Sequence, residues 1–384
     1  MKRSRKEAFM GLLFTPGWIG SLETSNRLVR SATAERMADQ EGRPLPPLER
    51  LYEELTQGGV GLIITGHMYV HPSGKAHDEM TGIYSDELVP DLAELARAVH
   101  DLGGRIVPQI NHGGMNSVAK EICEPLAPSA IDEPFLAKPA REMTPTEVKG
   151  AIEAFADAAR RSQEAGFDGV QIHAAHGYLI SQFLSPFVNR RTDKWGGSAE
   201  KRIRLLREVC AAVREEVGDD YPVLLKLGME DGVEGGLSSG EGAGIIAALD
   251  RMGIDAVEIS GGLGGKNKTL NVRKGIKSEA KEAYFLPLAR EARRHTEIPI
   301  LLVGGFRSRS VMERVLAEGA ADFISLCRPL ISEPDLPNQL RFGLSDKSRC
   351  LSANNCWAKG PGEGIACKCP HDRLAEHVTG AQGQ

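Results

Sequence analysis

The sequence predicts a single-domain α/β protein with the (β/α)₈ TIM-barrel fold. Short aliphatic or β-branched runs alternate eight times with longer segments of helical periodicity, as expected of parallel βα units. The runs are mostly apolar on both faces, which suits parallel strands that are buried on both sides. A doubly wound open sheet is the competing architecture. It is disfavoured because the first run is not followed by a G-x-G-x-x-G turn and an acidic residue some twenty positions later.

The predicted elements follow one another without a gap long enough for a second domain. The strands are predicted at residues 27–33, 60–65, 105–110, 169–173, 223–227, 256–260, 300–303 and 323–326. The helices are predicted to begin near Pro46, Asp86, Thr144, Ser198, Ser239, Glu282, Ser308 and Asp335. Thr144 is a suitable N-cap, with Pro145 in the first helical position and Glu147 in the third. We assign residues 1–345 to the barrel and 346–384 to a cysteine-containing extension with a polar tail.

Composition narrows the classes of partner. A net charge of −5 and a pI near 6.1 give no concentrated basic face, so nucleic acid is not expected. No stretch is long and apolar enough for a membrane span, and the basic start of the chain lacks a signal-peptide cleavage pattern. Seven cysteines are too few for a disulfide scaffold, which favours the cytoplasm. We expect a small-molecule substrate, and a homo-oligomer is compatible with this composition.

In such a barrel the residues at the C-terminal ends of the strands converge on one pocket, so they are the candidates for function. The strand ends carry Thr33, Ala34, Thr65, Gly66, Gln109, His112, His173, His176, Lys226, Ser260, Gly261, Gly304, Gly305, Cys327 and Arg328.

Lys226 follows the apolar run 223–225, so its ammonium is partly desolvated and needs an electron-rich partner. Three interpretations stay open. The lysine could form a structural ion pair with a neighbouring acid, stabilise a bound anion, or act as the Schiff-base nucleophile of a class I aldolase.

His173 and His176 lie just past the fourth predicted strand, spaced so that both imidazoles can reach one ligand atom. Two such donors suit a carbonyl oxygen that gains negative charge during a reaction. Metal ligation is disfavoured because Lys226 would repel a dication and no carboxylate completes a coordination shell. Structural histidines bonded to backbone are the third interpretation. Tyr178 lies beside the pair as a candidate proton donor.

The seventh and eighth strands end in residues 303–307, VGGFR, and 325–329, SLCRP. Together they offer backbone amides, a helix N-terminus and a guanidinium at the place where barrels commonly hold a phosphate. Gly304 and Gly305 could instead serve only a tight turn. Arg328 favours the phosphate interpretation because a turn does not need a bidentate donor.

These residues belong to a longer pattern that resembles the old yellow enzyme family. It comprises residues 172–179 (IHAAHGYL), 182–186 (QFLSP) and 189–198 (NRRTDKWGGS), together with residues 13–16, 26–29, 109, 127–130, 303–306 and 328–329. The resemblance covers the chain to about residue 345. This part of the chain is similar to the N-terminal barrel of multidomain 2,4-dienoyl-CoA reductases. It implies an FMN-dependent barrel that takes hydride from NADH or NADPH and reduces α,β-unsaturated carbonyl compounds.

The resemblance also implies roles for individual residues. Gln109 would hydrogen-bond the flavin pyrimidine, and Lys226 would stabilise negative charge near N1 of the reduced flavin. His173 and His176 would hold the substrate oxygen while hydride passes from flavin N5 to the β-carbon, and Tyr178 would protonate the α-carbon. The remaining cofactor contacts are expected from Thr33, Ala34, Gly66, Gly304, Gly305, Cys327 and Arg328. Flavin-dependent oxidation of an amine or a saturated ring is the runner-up activity.

The chain departs from the family pattern at several positions. Ala34 stands where many members carry a Thr or Cys that tunes the flavin, Arg36 stands where some place a substrate-lining Tyr, and Cys327 replaces a common Gly. Multidomain members follow the barrel with a cysteine cluster that holds [4Fe–4S]. The corresponding cysteines are Cys350, Cys356, Cys367 and Cys369. Their spacing fits neither a standard iron–sulfur nor a standard zinc pattern, so we expect a degenerate remnant, and a cluster or zinc site on these four cysteines is the alternative.

Overall fold

The computed structural model describes residues 11–133, 136–264, 272–358 and 360–370. Eight parallel strands close into a barrel, each hydrogen-bonded to its neighbours in chain order. The strands are β1 (Leu28–Arg30), β2 (Leu62–Tyr69), β3 (Ile106–Asn111), β4 (Val170–Ala174), β5 (Val223–Gly228), β6 (Ala256–Ser260), β7 (Ile300–Val303) and β8 (Phe323–Leu326). The predicted (β/α)₈ fold is confirmed, and every predicted strand overlaps an observed one.

Helices follow the strands and cover the barrel. They are α1 (Pro46–Gln57), α2 (Val89–Asp101), α3 (Pro145–Glu164), α4 (Leu179–Leu184), α5 (Ala199–Arg202), α6 (Arg204–Val217), α7 (Ser239–Ile246), α8 (Leu286–Arg293), α9 (Arg309–Ala317), α10 (Arg328–Ser332) and α11 (Leu336–Arg341). The predicted cap of α3 forms a capping box between Thr144 and Glu147. Helices α4 and α10 were not predicted, because five or six residues are too few to show a helical period. None of the helices in the described ranges is long and apolar enough to cross a bilayer.

The barrel interior changes character along its axis. Towards the N-terminal ends of the strands it is packed with apolar side chains, including Val29, Val107 and Phe323. A short hairpin of Gly17–Ile19 and Leu22–Thr24 contributes Ile19 and Leu22 to the same cluster. Because side chains on a strand alternate between faces, the next inward positions lie two residues further along each strand. Most of those positions carry polar side chains, which are described in the next section, whereas β2 has Gly66 and β7 has Val303.

The chain beyond β8 continues past α11 into a second hairpin, formed by Cys356–Ala358 and Ile365–Cys367. This hairpin lies against α10, which directly follows β8. The division of the chain at residue 345 stays a prediction, and the polar tail beyond residue 370 lies outside the described residues.

Candidate active site

Five inward-facing polar side chains form one hydrogen-bonded chain across the barrel. Gln109 Nε2 donates to Gln171 Oε1 (2.7 Å), and Gln171 Nε2 donates to Glu258 Oε2 (3.1 Å). Lys226 Nζ lies 3.0 Å from Glu258 Oε2 and donates to Ser31 Oγ (2.8 Å). Ser31 Oγ in turn donates to Glu258 Oε1 (2.7 Å). All five residues are buried, so this network is the floor of a site at the C-terminal end of the barrel.

Lys226 has the acidic partner that its desolvation requires. Glu258 is its register neighbour on the adjacent strand and is fully buried. The sequence analysis did not single out Glu258. Schiff-base chemistry needs a neutral amine, whereas here the amine would first have to break an ion pair with a buried carboxylate. The aldolase interpretation of Lys226 is therefore disfavoured.

His173 and His176 come together beside Lys226. The two rings are 5.4 Å apart and perpendicular, and His173 is the register neighbour of Lys226 on β4. His176 has a left-handed backbone (φ 61°), and its Nε2 is 2.7 Å from Ser260 Oγ. Nδ1 of His173 is buried without a hydrogen-bond partner among the described residues. A buried polar atom of this kind is costly unless a ligand or water satisfies it.

Both imidazoles are held in the neutral form. Burial, and then the positive charge of Lys226, lowers the pKa of His176 to about 3. Burial, and then His176, lowers the pKa of His173 well below its ordinary value. A neutral imidazole carries one N–H donor, so the pair can offer two donors without a positive charge on either ring.

Tyr178 is also placed next to the pair. Its ring centroid lies 5.0 Å from that of His173, and burial raises the pKa of its phenol to about 12, an effect that Arg36 opposes. The phenol is therefore protonated near neutral pH. It is thus a candidate proton donor to a ligand bound beside His173.

Two further histidines, His67 and His77, extend this group and were missed from the sequence. The ring centroid of His67 is 5.0 Å from that of Tyr178 and 5.6 Å from that of His77. Burial lowers the pKa of His67 to about 4 and that of His77 to about 2. The sequence analysis ended β2 at Thr65, but the strand continues to Tyr69 through a register shift between Ile64 and His67. Bulges of this kind redirect side chains near active sites.

Gly66 is tied to the segment after β1. Its N–H donates to Glu35 Oε1 (2.8 Å), which also accepts from Tyr52 and Arg30. A Cβ at Gly66 would meet Glu35 Oε2 at 1.7 Å and the carbonyl oxygen of Thr33 at 2.6 Å, so only glycine fits. Thr33 Oγ1 also donates to Cys327 Sγ (3.1 Å), and Ala34 is half-buried in the same segment.

A cavity of about 190 Å³ lies between the barrel floor and the ends of β7 and β8. Its walls include His176, Lys226, Gly305, Cys327, Arg328 and Ser352. Ser325 also lines the cavity, and its Oγ is buried without a hydrogen-bond partner in the described part of the chain.

The predicted phosphate donors are only partly as expected. Gly304 (φ 148°) and Gly305 (φ 75°) hold the backbone in conformations that favour glycine. One nitrogen of the Arg328 guanidinium is already hydrogen-bonded within the protein. Its Nη1 donates to the carbonyl oxygen of Arg273 (2.9 Å) and to Asn354 Oδ1. The expected helix N-terminus belongs to α10, which has only five residues and begins Arg328-Pro329. Proline supplies no N–H, so the backbone of Gly305 and Cys327 and the guanidinium remain the donors.

None of the C-terminal cysteines in the described ranges forms a disulfide. Cys356 and Cys367 are opposite each other in the second hairpin, whereas Cys350 and Cys369 are buried. Burial raises the pKa of Cys350, and burial together with neighbouring thiols raises that of Cys356 to about 11. Thiols of high pKa are poor thiolate ligands. Across the described ranges, no three His, Cys, Asp or Glu residues are grouped to hold a metal ion.

Residues 12–347 match the sequence profile of the NADH:flavin oxidoreductase / NADH oxidase family. The chain belongs to this family. It is 37% identical over 346 residues to a NADH oxidase of Thermoanaerobacter brockii, a match that covers 89% of this chain and 52% of the relative. The chain thus spans about half the length of that relative.

Solved structures agree with this membership. A 2-naphthoyl-CoA reductase complexed with 2-naphthoyl-CoA superposes with a TM-score of 0.82 and 32% identity, covering 86% of this chain and 52% of that one. An old yellow enzyme homologue from Zymomonas mobilis superposes with a TM-score of 0.74 and 27% identity, covering 88% and 94%. The resemblance to old yellow enzymes is confirmed. The predicted class, an oxidoreductase that uses FMN with NADH or NADPH, is confirmed at the level of the family.

The residues present fit FMN. The cavity pairs a buried ammonium at one end with Arg328 and the Gly305 backbone near the other, which suits a ring system joined to a phosphate. Ser325 lines the same cavity, and its unpartnered Oγ can bond a polar part of the ligand.

Gly305→Ala is expected to weaken FMN binding at least about tenfold, because a Cβ here would meet the Tyr284 ring at 2.8 Å in a backbone conformation that disfavours alanine. Fluorescence titration of the apoprotein with FMN measures the Kd. Gly150→Ala on α3 is the matched control, since a Cβ at that position meets nothing within 4 Å. An unchanged Kd for Gly305→Ala would remove this glycine from the cofactor site.

Proposed function

We propose that the chain is an FMN-dependent NAD(P)H oxidoreductase that reduces the activated C=C bond of α,β-unsaturated carbonyl compounds. The observation that carries this proposal is the grouping of two neutral imidazoles and a protonated phenol beside a buried ammonium at the strand ends. Such a group supplies donors to a substrate oxygen and a proton to a neighbouring carbon. The solved and curated relatives support oxidoreductase chemistry but do not fix this substrate class.

Different residues of the chain would bind the substrate oxygen and donate the proton. His173 and His176 bind the carbonyl oxygen through their N–H groups, so charge that develops on that oxygen meets donors already in place. Tyr178 gives its proton to the α-carbon. Bound FMN would take hydride from NADH or NADPH and pass it from N5 to the β-carbon.

Other residues would hold the cofactor. Gln109 and Lys226 line the barrel floor and offer a carboxamide and an ammonium to the flavin ring. Thr33 and Ala34 from the segment after β1 and Gly66 from β2 would contribute further contacts to the ring. The phosphate would lie against the backbone of Gly304, Gly305 and Cys327 and against Arg328.

The second candidate is an oxidative activity, in which hydride is removed from an amine or a saturated ring. An amine substrate is a cation near neutral pH unless it loses a proton. The ammonium of Lys226 would repel such a cation, and the neutral imidazoles beside it carry no compensating negative charge. The only carboxylate in the floor, that of Glu258, is already bonded by Ser31, Gln171 and Lys226. The donors therefore favour a carbonyl oxygen over an amine. Cytoplasmic location, the lack of nucleic-acid and membrane partners, and a homo-oligomer stay predictions from the sequence.

The test follows the visible spectrum of the FMN-loaded protein without oxygen. NADH or NADPH should bleach the flavin bands, and cyclohexenone added afterwards should restore them. Tyr178→Phe should keep the bleaching but slow the return by about 10²- to 10⁴-fold, because only the second step needs its proton. A protein that takes up no FMN, or whose bleached bands never return with any enone, would contradict the proposal.

A further inference from the structure

Glu258 is the one carboxylate of the barrel floor, and it has no solvent-exposed surface. Both of its oxygens are bonded: Oε1 accepts from Ser31 Oγ (2.7 Å), and Oε2 accepts from Gln171 Nε2 (3.1 Å). Lys226 Nζ is 3.0 Å from Oε2. A buried carboxylate with this many partners has a fixed position. Its ion pair with Lys226 lies in a region where water does not screen the two groups.

The partners of Glu258 also fix Lys226. Lys226 Nζ donates to Ser31 Oγ and forms an ion pair with Glu258 Oε2, so both contacts hold the ammonium in place. The ammonium lines the cavity, whereas Glu258 does not. A ligand in the cavity therefore meets the lysine first, with the carboxylate directly behind it. The ligand experiences an ion pair rather than an isolated positive charge.

We propose that Glu258 is a positioning residue that aims the Lys226 ammonium at the flavin and offsets its charge, and thereby lowers the reduction potential of bound FMN. This inference rests on the proposed cofactor. Reduction adds negative charge to the flavin, which an isolated ammonium would stabilise strongly. The carboxylate 3.0 Å from that ammonium repels the added negative charge. The ion pair therefore stabilises the reduced flavin less than an isolated ammonium would.

Ser31 and Gln171 belong to the same hydrogen-bonded network as Glu258 and Lys226. Ser31 bridges the two charges, and Gln171 links Glu258 to Gln109, the predicted partner of the flavin pyrimidine. The carboxylate thus supports two cofactor contacts from below, one charged and one neutral. Removal of the Glu258 carboxylate is expected to change the ratio of the affinities for reduced and oxidised FMN. The affinity for oxidised FMN itself should change less.

Glu258→Gln removes the charge and keeps the shape. The measurement is the midpoint potential of bound FMN, obtained by anaerobic reduction against a reference dye, together with the Kd of oxidised FMN. We expect the potential to rise, with the ratio of reduced to oxidised FMN affinity increasing at least about tenfold, or about 30 mV for a two-electron couple. Lys226→Gln should move the potential in the opposite direction.

Glu333→Gln is the matched control, because Glu333 is a buried carboxylate bonded to Ser348 rather than to Lys226. Its potential should equal that of the parent protein. If Glu258→Gln does not fold, Glu258→Asp retains the charge, draws it back by one methylene, and should give a smaller rise. A potential that stays unchanged or falls in the variants that bind FMN would overturn the inference. Failure of the parent protein to bind FMN would overturn it together with the proposed function, whereas failure to reduce enones would leave the potentials measurable and the inference tested.

Discussion

His173→Ala is expected to lower kcat/KM for cyclohexenone by about 10²- to 10³-fold, the cost of losing one preset donor to a developing oxyanion. The ring is buried and its Nδ1 has no partner within the described chain, so its polar edge is available to a ligand. Alanine also leaves a void next to Tyr178, whose ring lies 5.0 Å away. The bleaching of FMN by NADH or NADPH should persist, because this step does not involve the enone oxygen.

Steady-state kinetics and single-turnover spectra separate the two steps for this variant. His295→Ala is the control, since His295 is exposed after α8 and its ring is bonded to Glu291, which lies on the surface away from the cavity. It should match the parent protein in both steps. An undiminished kcat/KM in His173→Ala would show that His173 does not hold the substrate oxygen.

Acidification is expected to destabilise the fold steeply below pH 6.5. Burial lowers the pKa of His67 to about 4, that of His112 and His176 to about 3, and that of His77 to about 2. These rings stay neutral in the folded chain, but they bind protons in the unfolded chain below about pH 6.5. The unfolded state then binds more protons, so stability falls as pH falls. Each ring costs about 1.4 kcal/mol per pH unit between its unfolded and folded pKa values.

Urea unfolding followed by circular dichroism at several pH values between about 7 and 5 measures this slope. His112→Gln, which replaces a fully buried ring, should reduce the slope by about one proton. The exposed His295→Gln should leave it nearly unchanged. A free energy of unfolding that is flat over this range would mean that the buried rings accept protons in the folded state.

Sequence reasoning located the barrel and most of the site for one physical reason. The strands are short aliphatic runs, and in a closed parallel barrel the residues just past such runs must converge. His173, His176 and Lys226 each follow such a run directly and were therefore found. The structure brings them together as expected, while the roles assigned to them remain proposals.

The residues that were missed depend on packing between distant parts of the chain. Glu258 is a single acid inside the apolar strand β6, and its importance appears only when Lys226 on β5 is placed beside it in register. His67 follows a register shift that no local pattern marks. Asn354 reaches Arg328 from the C-terminal extension, 26 residues further along the chain. Periodicity describes one element at a time and carries no information on such pairings.

The contact between Asn354 and Arg328, together with Ser352 in the cavity wall, has a consequence for biogenesis. All eight strands precede these two residues in the chain, so the ribosome releases the barrel before the segment that closes its cofactor cavity. Domains fold as they emerge, from the N-terminus onward. A nascent barrel therefore lacks part of the wall of this cavity until Ser352 and Asn354 have been synthesised.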